Sequence, residues 1–157
     1  MTRAALYSLP FALGIALAAH AQPAPVKVSL KAGANSYEAA GSGECKAAPQ
    51  ASIYGIQAAL YSVSHRSGSQ SLNLTLWQPK DGSPSMMSLR VSIGSSHYEV
   101  DTVRGGAKRD TRGSGRATLQ KASAGGLIAI DAVAASGEKI AGKIQCSRFG
   151  AIQAEGG

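Results

Sequence analysis

Three side chains capable of acid–base or metal chemistry occupy alternate positions in SSHYEVDT, residues 95–102: His97, Glu99 and Asp101. In an extended strand all three project from one face, roughly 7 Å apart, while Tyr98 and Val100 project from the other. Such a face could hold a divalent cation or set up an acid–base pair. It is also the ordinary solvent side of a strand whose Tyr98 and Val100 are buried. We expect that simpler arrangement, with no metal and no cofactor. A hydrolase would need a nucleophile, a base and an orienting group brought together. No G-x-S-x-G elbow is present, and the GSG runs at 41–43 and 113–115 are turn-like. His65, in SVSHRSG, is expected to be exposed at a strand end. No catalytic residue is assigned, and the chain is not expected to be an enzyme.

The densest charge lies in VRGGAKRDTRGSGR, residues 103–116, where Arg104, Lys108, Arg109, Arg112 and Arg116 face one acid, Asp110. Gly105, Gly106, Gly113 and Gly115 leave backbone N–H groups accessible. A loop of this kind could fold around phosphate, sulfate or carboxylate, with arginine forks supplying bidentate contacts. The plainer alternative is a long solvated hairpin tip. The segment lacks the phosphate-loop pattern G-x-x-x-x-G-K-[ST] and has no interleaved aromatics for stacking on bases. Nucleic acid is therefore not an expected partner.

Two cysteines, Cys45 in GSGECKAA and Cys146 in GKIQCSRFG, are the whole thiol complement. The N-terminus reads as a secretory leader: Arg3, an apolar run over 4–19, then Ala19-His20-Ala21 as a small-x-small cleavage site. Cleavage near Ala21-Gln22 would deliver a periplasmic or secreted protein with no further apolar span. In that oxidising space two cysteines are expected to form one disulfide. Two cysteines cannot complete a closed zinc site, and neither has a neighbouring His to support a reactive thiolate. Removal of residues 1–21 leaves 15 Lys+Arg against 9 Asp+Glu.

The elements that must position these groups have a period of two. VKVSLK (26–31), SLNLTLW (71–77), SLRVSI (88–93), GLIAIDAVA (126–134) and KIAGKIQC (139–146) each place apolar residues on one side. In the last of these, Cys146 shares a face with Ile140 and Ile144, opposite Lys139, Lys143 and Gln145. QPKDGSP and the 135–138 stretch Ala-Ser-Gly-Glu supply turns, as does Gly94-Ser95-Ser96. Residues 51–57 are expected as a loop or single turn before a strand at 58–65. Trp77, Met86 and Met87 flank a turn and are expected to pack in the core or at an edge. Asn73 heads an N-L-T triplet within a strand, where a glycosylation match is accidental. The pattern predicts an all-β fold, an antiparallel sandwich or barrel of about eight to nine strands. The divisions expected are a leader (1–21), a single β domain (22–150) and a flexible C-terminal tail (151–157).

Four runs, GECKAAPQASIYG, LTLWQPKDGSP, GSGRATL and GGLIAIDAVAASGEKIAGKIQC, resemble small exported bacterial β-proteins of uncharacterised function. That resemblance rests on turns, alternation and the two cysteines, and carries over no catalytic or binding residue. The expected function is a cell-envelope binding module contacting an acidic polysaccharide, a lipid phosphate or an acidic protein through residues 103–116. A structural envelope protein acting through its sheet surface is the alternative. A metal-assisted enzyme using His97, Glu99 and Asp101 stands behind both.

Overall fold

The structure, a computed structural model, describes residues 25–103 and 112–152. Residues 1–24, with the expected leader, residues 104–111, with Arg104, Lys108 and Arg109, and residues 153–157 lie outside that range. Eleven strands follow in order: β1 (Val26–Ala32), β2 (Asn35–Gly41), β3 (Gly43–Ile53), β4 (Ile56–Ser67), β5 (Gln70–Pro79), β6 (Met86–Ile93), β7 (Ser96–Asp101), β8 (Ser114–Lys121), β9 (Gly126–Val133), β10 (Lys139–Cys146) and β11 (Gly150–Ala151). They form a five-stranded sheet, β2-β1-β10-β9-β8, and a six-stranded sheet, β11-β3-β4-β5-β6-β7. The all-β sandwich is thus as expected, with more strands than the eight to nine counted from the pattern.

The alternation places each side chain as written. Val26, Val28, Leu30 and Ala32 turn inward from β1, and Ile140, Ile144 and Cys146 do so from β10. Leu72, Leu74 and Leu76 from β5 and Met87, Leu89 and Val91 from β6 meet them from the other sheet. Strand β2 runs over the ends of the second sheet: Asn35 donates to the Tyr98 hydroxyl at 2.6 Å, Gln70 Nε2 donates to the Ser36 carbonyl at 3.2 Å, and Tyr37 meets His65 at 2.8 Å. One corner is stitched between sheets. Asp101 and Arg112 exchange backbone hydrogen bonds, and the Ala135 N–H donates to the Glu99 carbonyl at 2.8 Å. These bonds cover the free edge of β7, which otherwise would invite pairing with another chain.

Gly142 in β10 has φ 153°. A Cβ built there would collide with the Ser29 carbonyl and the Leu30 Cα, so the adjacent strand packs where a side chain would be.

Four expectations are corrected. Residues 51–57 are not a loop: β3 continues to Ile53 and turns tightly through Tyr54-Gly55 into β4. Both turn residues have positive φ, 52° and 78°, the geometry of a primed hairpin turn. Pro49 obscured this strand, and the register does shift between Ala48 and Ala51, where a proline is tolerated. Second, the 103–116 segment does not join neighbouring strands of one sheet: an antiparallel bridge, Asp101–Arg112, closes its base, but it leaves β7 in one sheet and enters β8 in the other. Third, the 151–157 tail is not free from its start: Ala151 pairs with Ala47 and the Ile152 N–H donates to the Ala47 carbonyl at 3.0 Å. Fourth, His65 is buried, only 4% exposed.

Candidate functional site

The cysteines form one disulfide, Cys45–Cys146, with Cα atoms 6.0 Å apart. It joins β3 to β10 and so staples one sheet to the other across a sequence separation of 101. Both sulfurs lie in the core, which makes the bridge structural rather than reactive. Cys45 sits near the start of the third strand and not at the end of an opening hairpin, so the staple links sheets and not neighbouring elements.

On β7, His97, Glu99 and Asp101 do face outward, with Tyr98 and Val100 buried behind them. Their partners are not metal-like. Glu99 accepts from Arg112 at 3.1 Å and from Arg90 Nε and Nη2 at 3.3 Å each. The Arg112 hydrogen bond, with Arg90 adding to it, holds the Glu99 carboxyl below its ordinary range. Asp101 Oδ1 accepts the Val103 N–H at 3.0 Å, and His97 Nδ1 lies 2.9 Å from the Ser92 hydroxyl. Among the described residues no group of three or more His, Cys, Asp or Glu is placed to hold a metal ion. The strand face proposed for metal chemistry is thus an arginine–carboxylate corner.

The basic segment divides on folding. Arg112 is spent on Glu99 at the stitched corner. Arg116 lies within β8, opposite Asp131 of β9, and is exposed on the outer face of the five-stranded sheet. Asp131 itself is 3.6 Å from Lys139.

That outer face gathers cations that sequence inspection of single strands did not group. Lys27 and Lys31 project from β1, Lys139 and Lys143 from β10, and Arg116 from β8, against two carboxylates, Glu38 and Asp131. Register sets Lys143 opposite Ser29, between Lys27 and Lys31. Glu38 accepts the Ser29 hydroxyl at 2.7 Å. Among the described residues no carboxylate lies within ion-pairing distance of Lys27, Lys31 or Lys143. Beside Lys27 and Lys143 an open depression of ≈ 470 Å³ has Ala40 and Leu127 in its floor and Glu38 and Gln145 at its rim. The alternation of VKVSLK and KIAGKIQC was visible, but nothing in it showed that β1 and β10 are neighbours.

At the opposite end, Tyr54, 55% exposed, overhangs a groove of ≈ 590 Å³ lined by Ile56, Pro79, Pro84, Met86 and Thr102. Of the three turn-flanking residues, Met87 is core, Met86 lines this groove and Trp77 is half-buried. Asn73 lies mid-strand in β5, exposed.

The chain matches no family model, and comparison with curated proteins and with solved structures returned no match.

Proposed function

We propose that this protein is an exported cell-envelope module that binds an anionic partner. The observation that supports the reading best is the gathering of Lys27, Lys31 and Lys143 on one sheet face, with no carboxylate within ion-pairing distance among the described residues. On the six-stranded sheet Lys46 pairs with Glu44 and Arg90 with Glu99, at 2.7 Å and 3.3 Å. Arg66 of that sheet has no such partner among the described residues, and the connection between β7 and β8 adds Arg104, Lys108 and Arg109 against Asp110 in sequence. Lys27, Lys31 and Lys143 are thus free to form charge-assisted hydrogen bonds with phosphate, sulfate or carboxylate. The sandwich supplies a rigid support, and the buried disulfide suits an oxidising compartment.

Retention on an immobilised acidic polysaccharide tests this reading. The protein should bind at low ionic strength and elute as salt screens the charges. Neutralising Arg104, Lys108, Arg109 and Arg112 together should lower the eluting salt concentration. Retention unchanged by those four substitutions removes the β7–β8 connection from the binding surface. Failure of the unaltered protein to bind removes the reading itself.

A further inference from the structure

The unpaired lysines lie on a flat, regular surface, and their spacing follows from the sheet. Lys27 and Lys31 are four residues apart on β1, roughly 13 Å along the strand. Lys143 stands one strand over, roughly 5 Å away and level with Ser29 between them. The rows through them carry Ala40 and Gln145 beside Lys27, Ser36 and Ala141 beside Lys31, and Ala129 and Thr118 beyond Lys143, with two carboxylates, Glu38 on β2 level with Lys143 and Asp131 on β9 beyond Ala141. Lys27 and Lys143 thus border a shallow floor whose rim also carries Glu38, with Lys31 one step along β1 and Arg116 further along the same face.

We propose that the outer face of the five-stranded sheet, centred on Lys27, Lys31 and Lys143, is a binding surface for an extended acidic polysaccharide. The inference rests on the anion-binding function proposed above and assigns it a surface and a ligand class. Charge complementarity selects a polyanion, because several like charges without protein partners gain most from a ligand that repeats its charge. The flatness selects a chain lying along the sheet, since a compact anion would touch one lysine at a time. A bilayer fits less well. Beyond half-buried Leu127 and exposed Val133 the face presents, among the described residues, no large apolar side chain and no aromatic to enter the acyl boundary. Nucleic acid lacks the aromatic platform on which bases stack.

The experiment measures binding of the intact, disulfide-bonded protein to soluble polygalacturonate over a salt series. It includes K27Q/K31Q/K143Q, the control K46Q/R66Q/K80Q with the same charge loss elsewhere, and the β7–β8 variant R104Q/K108Q/R109Q. The triple-lysine variant should lose at least tenfold in affinity at low salt. The slope of log affinity against log salt should fall by about 2, on the scale of one released counterion per neutralised contact. The control should stay within twofold of the unaltered protein. Exposed Lys→Gln changes on a sheet face leave folding intact, which circular dichroism verifies. If the lysine variant binds as the unaltered protein does while R104Q/K108Q/R109Q does not, the surface is wrong and anion binding stands. If the lysine variant and the control weaken equally, only net charge acts and the surface is again wrong. Tighter binding to anionic phospholipid vesicles than to polygalacturonate overturns the ligand class. No binding to any polyanion overturns both proposals.

Discussion

His65 carries a property that its sequence context concealed. Its ring lies between the sheets at the β2–β3 crossing, with Nδ1 2.8 Å from the buried Tyr37 hydroxyl and the two rings tilted at 48°. Burial lowers its pKa and raises that of the Tyr37 phenol, because each charged form would lose its water. The unfolded chain therefore takes up a proton on His65 more readily than the folded protein. The resulting stability is intact above the ordinary imidazole value, about 6.5. It declines as pH falls below that value and is lost once folded His65 protonates. A Tm measured from pH 8 to pH 5 should drop, and His65→Gln should flatten the drop. An unflattened profile would place the sensitivity elsewhere. Glu99 titrates in the same sense at lower pH, since Arg112 and Arg90 stabilise its charged form. SVSHRSG could not disclose the burial of His65, because the covering residues, Tyr37 and Gly43, come from other strands.

Among the elements, β10 shows how a strand can be readable in pattern and hidden in shape. KIAGKIQC alternates as an ordinary half-buried strand, and its inward residues are buried as expected. What the pattern does not tell is that Gly142 replaces an inward side chain where β1 presses closest. Gly142→Ala should cost about 3 kcal/mol in urea denaturation, combining overpacking with an unfavourable φ. A loss below 1 kcal/mol, on the scale of an ordinary glycine replacement, would mean that β1 moves aside. Strand β3 shows the converse. GECKAAPQASI has only Cys45 and Ile53 buried and contains Pro49, so neither alternation nor propensity marks it. It forms because β4, a strongly patterned strand, offers its edge along nearly the whole length. The β3–β4 turn is also disguised, since Tyr54 takes a left-handed φ usually left to Asn or Gly.

For the whole molecule, the disulfide is, among the described residues, the one covalent side-chain link between the two sheets. Other ties between them, such as Asn35 to Tyr98 and Ala135 to Glu99, are hydrogen bonds. Because it closes a loop of 101 residues, its loss should cost 2–5 kcal/mol, roughly the range for native bridges in small exported domains. Cys45→Ala/Cys146→Ala compared with the oxidised protein in denaturant checks this. Near-equal midpoints would mean that the core holds the sheets together unaided. At this scale too, charge acquires meaning. The sequence displays one basic run, but folding assigns Arg112 to Glu99 and Arg116 to the lysine face.

By itself the sequence determined the all-β class, the inward side of most strands and the pairing of its only two cysteines. Each follows from local alternation or from count, and neither needs a knowledge of neighbours. Only the tertiary structure decided which strands lie side by side, and therefore that Lys27, Lys31 and Lys143 share a surface while His65 is enclosed. The reason is geometric: a strand fixes the direction of its own side chains, but the company they keep is set by strands arriving from more than a hundred residues away.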